Sequence, residues 1–402
     1  FLGLIIISVI IIAKLSAIAG IGFLVITLLF SGLPVFPSLL LGGIIGVFVQ
    51  FGGFSGSLSG IINIIYNSLH SFSLVCLPMF IIAGTLISVT DIGREIYEFI
   101  RSWLSWIPSP EGVSTIIACT IFAAISASSV ATAATIGIIA LPILREYEYQ
   151  NRLSYGLLAS GGTLGIMVPP SASMIAYSIV TNESLGKLFV AGLIPGLILM
   201  VCFSLWVMFK HAGFKTSKVK HYSWNERLKA LKTALWGISI PIIIIGGILS
   251  GIFTPLESGA IAVIYSVIMI TFRGKFNFKD MIEGWLHSLR TVTFIFGIII
   301  GALVLGYMIT LMGIPSQVAS FITENNISPW LALLIMILVW LIMGLFLEVW
   351  SIMFITLPIF YPLAMKLGFN GIWLGVMASL TMEMALISPP VGLNNFVIKG
   401  VA

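Results

Sequence analysis

The stretch that decides the fold is Ser-Ala-Ser-Ser-Val-Ala-Thr-Ala-Ala-Thr at residues 126–135, in the middle of an uncharged segment between Glu111 and Arg145. As a single helix this segment would be about 50 Å long at 1.5 Å per residue, which is longer than a bilayer is thick. A helical hairpin that turns near the membrane centre and leaves on the side it entered fits the length. Unwound backbone at that depth must be buried in protein or line a cavity, which fits the small, hydroxylated tip. The alternative is an ordinary helix with a packing face of small residues.

A second hairpin is predicted at residues 328–365, where Gly344-Leu-Phe-Leu-Glu348 interrupts two apolar arms. Glu348 is an ionisable residue at membrane depth, where a charge is costly and usually functional. The alternative role for Glu348 is a structural hydrogen bond to a neighbouring hairpin. Each hairpin is followed by a helix with two consecutive prolines, Pro169-Pro170 and Pro389-Pro390. Because proline removes a backbone donor and clashes with the preceding turn, both helices should break there.

The composition requires a membrane around most of the chain. Of its 402 residues 59% are hydrophobic and 8% are charged, and the mean hydropathy is +1.16. A water-exposed surface needs roughly 25–35% charged residues. The apolar runs are continuous rather than alternating, which favours helices over a transmembrane barrel.

The basic residues predict the orientation of the two hairpins. Seven Lys and Arg lie between Lys210 and Lys232, and Arg273, Lys275 and Lys279 form a second cluster. Short basic loops stay in the cytoplasm. Following the crossings outward from these loops places the entry of the first hairpin inside and that of the second outside. Paired interrupted helices in an inverted repeat are typical of secondary transporters, whose binding site lies at the breaks.

The predicted fold is therefore an all-α polytopic membrane protein with an inverted repeat, two re-entrant hairpins and two Pro-Pro-broken helices. It has four parts: N-terminal scaffold helices at residues 1–76; a first repeat at 77–187 with hairpin 112–145 and broken helix 152–181; central scaffold helices at 188–290 with a basic cytoplasmic loop at 210–233; and a second repeat at 291–402 with hairpin 328–365 and broken helix 371–400.

Other classes of function have little support in the sequence. Cys76, Cys119 and Cys202 lie in apolar stretches without a CxxC pair, and no histidine pairs with another ligand type at helical spacing, so no transition-metal site is expected. Signatures of a hydrolase or a metalloprotease are missing, so we expect neither an enzyme nor an organic cofactor, and the basic loops fit a membrane rather than nucleic acid. An ion-coupled carrier or antiporter without a binding protein, and a channel with similar hairpins, remain alternatives.

The order and spacing of several motifs resemble one transporter family over nearly the whole chain. The motifs are Leu77-Pro-Met-Phe80, residues 122–135, residues 161–171, Phe253-Thr-Pro-Leu-Glu257, residues 344–348 and Ser388-Pro-Pro-Val-Gly-Leu-Asn394. They are similar to those of the large membrane subunit (M, or DctM-like) of tripartite ATP-independent periplasmic (TRAP) transporters. One departure is Glu348, where the family often carries Asp.

The resemblance implies how this protein works and with which partners. Inward sodium would drive uptake of a small organic anion across the bacterial inner membrane, while a transport domain moves, elevator-fashion, against a scaffold. The anion would be a dicarboxylate, a sugar acid such as sialic acid, or a sulfonate. The expected partners are a small four-helix Q subunit, separate or fused upstream, and a periplasmic binding protein P.

Candidate sites follow from the paired breaks, because unwound helix ends offer the oxygen atoms that sodium requires. Two or more coupling ions are expected. The predicted ligands of the first are Ser126, Ser128, Ser129, Gly165, Val168 and Pro169. The predicted ligands of the second are Gly344, Ala385, Ser388 and Val391. The substrate is predicted between the hairpin tips at Ser126, Ser171 and Glu348, where helix N-termini favour negative charge.

Overall fold

The computed structural model describes residues 17–51, 54–70, 72–88, 90–211, 221–273, 278–389 and 392–402, and every regular element in them is a helix. The first nine helices are α1 Ala17–Phe30, α2 Val35–Phe51, α3 Phe54–Leu69, α4 Phe72–Ser88, α5 Ile92–Trp103, α6 Pro110–Ser126, α7 Ser129–Glu146, α8 Asn151–Met167 and α9 Ala172–Thr181. The others are α10 Leu185–His211, α11 Trp224–Leu249, α12 Pro255–Phe272, α13 Phe278–Leu311, α14 Ile314–Glu324, α15 Pro329–Gly344, α16 Val349–Lys366, α17 Gly371–Ile387 and α18 Leu393–Val401.

Seven helical segments within the described residues are long and apolar enough to cross a membrane. They are α7, the pair α8–α9, α10, α11, α12, α13 and α16. The pair α8–α9 is the most buried of these segments, whereas α10 turns most of its surface outward. The outward surface of α10 is apolar, as a helix in contact with lipid requires, and it includes Ile194, Ile198, Trp206 and Phe209.

Both predicted hairpins and both predicted broken helices are helix pairs in the structure. The predicted hairpin 112–145 corresponds to helices α6 and α7, and the predicted hairpin 328–365 corresponds to α15 and α16. The observed outer ends of both pairs lie within two residues of the predicted ones. The predicted broken helices are α8–α9 and α17–α18. The boundaries of the four predicted parts, at residues 76, 187 and 290, fall inside the continuous helices α4, α10 and α13, so the division into four parts stays a prediction.

The two ends of each hairpin lie side by side. The backbone N–H of Gly112, in the first turn of α6, donates to the hydroxyl of Tyr149, just after α7, at 3.2 Å. In the second hairpin the rings of Trp330 at the start of α15 and Phe369 after α16 pack edge-on, with centroids 5.6 Å apart. Each hairpin therefore enters and leaves at one end of the molecule.

The two hairpins enter at opposite ends. Arg145, at the end of α7, donates to the backbone oxygen of Ala402, the last residue of the second broken helix, at 3.3 Å. At the other end of the molecule Tyr361 in α16 donates to the carboxylate of Glu183, just after α9, at 2.9 Å. The two broken helices thus run antiparallel, from one hairpin base to the other.

The helices outside the hairpin units pack closely on one another through glycines. A Cβ at Gly43 of α2 would lie within 2.9 Å of Val304 and Leu305 in α13, and one at Gly301 would lie 2.7 Å from the backbone oxygen of Phe36. Helix α4 packs between α12, α13 and α6. This places α4 and α13 next to the tip of the first hairpin and beside the candidate site.

Candidate functional site

A cavity of about 630 Å³ lies where the two hairpin tips and the two helix breaks meet. Its lining comes from both hairpin units and from helices α4 and α13. Among the lining residues are Gly84, Ser126, Ser128, Ser129, Ile166, Ala172, Ser173, Glu283, His287, Glu348, Trp350 and Leu393. Binding pockets for small molecules are typically about 300–1,000 Å³, so the cavity has the size of a site for a small metabolite.

Four helix N-termini face this cavity. Residues at the starts of α7, α9, α16 and α18 line it, among them Ser129, Ala172, Val349 and Leu393. The N-terminus of a helix carries unpaired N–H groups and the positive end of the helix dipole. Their convergence therefore makes the cavity attractive to an anion, and the inverted repeat predicts this convergence.

The tip of the first hairpin is held between two glycines. A Cβ at Gly84 of α4 would lie 2.8 Å from the backbone oxygen of Ser126. On the other side, a Cβ at Gly165 of α8 would lie 2.9 Å from the carbonyl carbon of Ser128 and from the nitrogen of Ser129. Both neighbours are backbone atoms that cannot rotate away, so glycine is required at both positions for the tip to sit here.

Hydrogen bonds within the tip fix its backbone. Ala127 has φ +53°, which reverses the chain between α6 and α7. The hydroxyls of Ser126 and Thr132 lie 2.9 Å apart, and Ser128 caps α7 by accepting from the N–H of Ala131 at 3.3 Å. The buried hydroxyl of Ser129 has no hydrogen-bond partner among the described residues. An unpaired buried hydroxyl oxygen is a suitable ligand for a small cation.

The predicted residues of the first break are only partly brought to the cavity. Val168 and Pro169 end α8 behind the tip and do not line the cavity, whereas Gly165 touches the tip directly. Ser171 is fully buried and caps α9, and its hydroxyl donates to the backbone oxygen of Ile166. The hydroxyl that lines the cavity at this break is that of Ser173, which pairs with Ser379 of α17 at 2.8 Å.

The second tip meets the second break through Gly344 and Ala385. These residues are in such close contact that a Cβ at Gly344 would overlap that of Ala385. Glu348 precedes α16, makes no cap with its side chain and lines the cavity. Ser388 is half-buried and donates to the backbone oxygen of Met384 at 2.6 Å. Val391 lies outside the described residues.

The motif-based prediction left out three buried polar groups on the helices that form the second tip and the second break. Glu383 of α17 is 4% exposed with one carboxyl oxygen unpartnered in the described part of the chain, and Ser351 and Asn394 likewise each keep a buried oxygen without a partner. A signal for Glu383 was present, since it is an ionisable residue inside an apolar run. Ser351 and Asn394 look ordinary in the sequence, and only the fold shows that they are buried.

The charges around the cavity are unusual for a site that attracts anions. Among the described residues that line it, the charged or titratable side chains are Glu283 and His287 of α13 and Glu348 of the second hairpin. No Lys or Arg belongs to this set. An anion bound here would have to be stabilised by helix N-termini, hydroxyls or bound cations rather than by Lys or Arg.

Fold and cavity together define a polytopic, helical membrane protein with a central cavity of metabolite size. The fold is similar to that in the crystal structure of the Alcanivorax borkumensis YdaH transporter, with a TM-score of 0.59 at 11% sequence identity. The similarity covers 87% of this chain and 81% of that one. At this identity it supports the architecture alone.

The chain belongs to the DctM component family of tripartite ATP-independent periplasmic transporters, whose family model matches residues 22–402. The large permease DctM of the C4-dicarboxylate TRAP transporter of Vibrio cholerae is 32% identical, over 96% of this chain and 89% of that protein. The protein of the same name from Pseudomonas aeruginosa is 34% identical, over 84% and 79%. The sialic acid TRAP transporter large permease SiaM of Vibrio cholerae is 30% identical, over 93% and 87%. The chain is thus a multi-pass TRAP transporter subunit of the inner membrane.

Proposed function

We propose that this chain carries sodium-coupled uptake of a small organic anion, which binds in the central cavity between the two hairpin tips. The observation that carries the proposal is the convergence of four helix N-termini on a cavity whose described lining contains carboxylates but no Lys or Arg. Helix ends favour an anion by up to about 2 kcal/mol when partly buried. Bound cations would supply the remaining positive charge, which makes substrate binding dependent on them.

Two sodium sites fit the two breaks. The first would use oxygens of the first tip, where the hydroxyl of Ser129 is buried without a partner and Gly165 lets the α8 backbone touch the tip. The second would lie where Gly344 meets Ala385, with Ser388 at the break and the unpaired oxygen of Asn394 as an additional candidate. Val391, also predicted for this site, lies outside the described residues. Hard cations bind carbonyl, hydroxyl and carboxylate oxygens, and all these groups supply them.

We further propose that both hairpins are re-entrant in the membrane and that the units they form move against a scaffold of α1–α4 and α11–α13. The re-entrant topology is supported by the adjacent ends of each hairpin and by the position of the two hairpin bases at opposite ends of the molecule. The cavity extends to Glu283 and His287 near the start of α13, which follows the basic loop at Arg273. If basic loops lie inside, the cavity opens to the cytoplasm in this conformation.

The substrate class proposed from the relatives is a small organic acid. Relatives named for C4-dicarboxylates and for sialic acid share the carboxylate, and a carboxylate suits converging helix N-termini. As in the tripartite family, the partners would be a small membrane subunit Q and a periplasmic binding protein P.

The direct test is uptake into proteoliposomes that contain the chain with its small subunit, supplied with the cognate binding protein and a labelled organic acid. An inward sodium gradient should drive uptake, and replacing sodium by choline at clamped pH should abolish it. Uptake at the full rate without sodium would rule out the proposed coupling.

The re-entrant topology is tested separately by labelling single cysteines in a Cys202→Ser background, because Cys76 and Cys119 are buried. Cysteines at Pro108 and Glu148 should both react only from the cytoplasm, and those at Asn326 and Gly368 only from outside. Positions Ser223 and Gly251 serve as inside and outside references. Reaction of Pro108 and Glu148 from different sides would contradict the hairpin.

The alternative is a related ion-coupled carrier or antiporter that works without a binding protein. It would share the hairpins and the cavity. Uptake that is independent of the periplasmic protein in the same proteoliposomes would favour it.

A further inference from the structure

A second cavity lies away from the transport site, between the start of α8 and the end of α10. Its volume is about 570 Å³, and it is lined by Gln150, Arg152, Leu153, Gly156, Leu157, Ser160, Phe203, Trp206 and Lys210. Two of these residues are basic, Gln150 and Ser160 are polar and uncharged, and the other side chains are aromatic or aliphatic. The groove is separate from the central cavity, with which it shares no lining residue.

The charge in the groove has one sign. Arg152 and Lys210 are both exposed, and none of the lining residues is acidic. Within the described part of the chain neither residue takes part in an ion pair. Lys210 lies over the ring of Trp206, with its Nζ 5.1 Å from the ring centroid, so the ammonium group is held at the mouth of the groove. Two unneutralised cations in one recess are complementary to a phosphate group.

The position of the groove determines which phosphate compound can occupy it. Helix α10 has 27 residues, enough for one crossing, and Lys210 lies in its last turn. Its exposed apolar residues, among them Ile198, Trp206 and Phe209, face outward along its length. The cations therefore lie at the level of lipid headgroups, with an exposed Trp beside them as in interfacial belts. Leu153, Leu157 and Phe203 continue the groove toward the apolar region.

We infer that this groove binds the headgroup phosphate of an anionic glycerophospholipid, with Arg152 and Lys210 on the phosphate and Leu153, Leu157 and Phe203 along an acyl chain. Basic pockets between membrane helices on the cytoplasmic side have the chemistry for such lipids. Arg152 follows the exit of the first hairpin directly, so a lipid bound here touches the base of the unit that carries the candidate site.

The test is lipid binding to the assembled transporter, purified in neutral detergent and measured by native mass spectrometry. Phosphatidylglycerol should bind in preference to phosphatidylcholine of the same chain length. The double variant Arg152→Gln/Lys210→Gln should lose affinity for phosphatidylglycerol by about tenfold or more, because each basic residue at a membrane surface contributes on the order of 1 kcal/mol. The double variant Arg152→Lys/Lys210→Arg should retain it, which separates lost charge from misfolding.

A matched control is Lys229→Gln/Lys232→Gln, which removes the same charge from exposed positions of α11 outside the groove. It should bind phosphatidylglycerol as the unmodified protein does. Millimolar inorganic phosphate should not displace the lipid, since the acyl contacts are part of the site. Three results would each overturn the inference: an equal loss of phosphatidylglycerol affinity in Arg152→Gln/Lys210→Gln and Lys229→Gln/Lys232→Gln, equal binding of phosphatidylglycerol and phosphatidylcholine, or displacement of the lipid by inorganic phosphate.

Discussion

The two hairpin units have the same topology but present their helix N-termini differently. In the first unit Ser128 and Ser171 cap α7 and α9 with their hydroxyls. In the second unit Glu348 and Gly392 precede α16 and α18, and neither caps its helix with a side chain. In the first unit a hydroxyl thus satisfies one backbone donor at the start of each helix, whereas in the second unit no side-chain cap does so.

The first hairpin unit is also more deeply buried than the second. Almost all of α6 is buried, while α15 exposes a stripe of large apolar residues that includes Trp330, Leu334 and Ile342. The first tip is enclosed between Gly84 and Gly165, and the second is partly open at Phe346 and Glu348. The comparison suggests that the first unit forms a fixed wall of the site and that the second supplies the more adaptable side.

The largest effect is expected from Gly165→Ala, which puts a methyl group 2.9 Å from the backbone of the first tip. Overpacking of about 1–3 kcal/mol corresponds to roughly a fivefold to 150-fold loss of uptake. Uptake in proteoliposomes measures this. Gly156→Ala, in the same helix, is the control, because a Cβ there meets no atom within 4 Å. If Gly165→Ala transports normally, the first tip is not the fixed wall described here.

The next effect is expected from Glu348→Gln at the open second tip. The substitution removes the negative charge of this side chain and keeps the shape of the side chain. Because hydrogen bonds to charged groups contribute about 1.5–3 kcal/mol, sodium-driven uptake should fall about tenfold or more. The sodium dependence of uptake should weaken with it. Glu324→Gln, an exposed carboxylate outside the cavity, should have no effect. Unchanged sodium dependence in Glu348→Gln would remove that carboxylate from the proposed ion site.

A smaller effect is expected from Ser128→Ala, which removes the cap of α7. The loss of an N-cap costs about 1 kcal/mol, so the sodium concentration for half-maximal uptake should rise about fivefold. Ser184→Ala is the matched control, since Ser184 accepts from Lys187 N–H at 3.4 Å near the start of α10, outside the cavity. Equal shifts in both variants would show a general effect on stability rather than one on the tip.

The smallest effect on transport is expected from Trp340→Phe in the second hairpin. Trp340 is fully buried and donates from Nε1 to the hydroxyl of Thr356 at 2.8 Å, joining α15 to α16. Its loss should cost about 1–3 kcal/mol of stability and lower the unfolding temperature by a few degrees, while uptake per folded molecule is kept. The exposed Trp106→Phe should leave the unfolding temperature unchanged. A large loss of uptake in Trp340→Phe would mean that the two arms must stay rigid during transport.

The sequence predicted the hairpins within two residues because length, charge and proline act locally. A segment too long and too uncharged for one crossing must turn back, and consecutive prolines at 169–170 must break a helix. Single prolines did not mark helix breaks. Pro142, Pro358 and Pro362 lie inside α7 and α16, which continue through them.

The sequence predicted which residues lie at the breaks, and it missed contacts that depend on a distant helix. The ligand roles of the predicted residues stay predictions. Gly344 and Ala385 are far apart in the chain and meet as expected from the repeat. Ser171 and Ser173 are two residues apart in one motif, yet Ser173 rather than Ser171 lines the cavity. Which hydroxyl turns inward depends on the rotation of α9 against Ser379 of α17, and no local pattern encodes that rotation.

By itself the sequence determined that this chain lies in a membrane, that two long uncharged segments form helix pairs and that two helices break, because hydrophobicity, charge and proline act on each segment separately. The tertiary structure decided which atoms meet at the breaks. Burial of Glu383, the cradle of Gly84 and Gly165 around one tip, and the separate groove at Arg152 and Lys210 each require helices from different parts of the chain to pack together. Such contacts depend on the shapes of whole helix surfaces, which short sequence patterns do not specify.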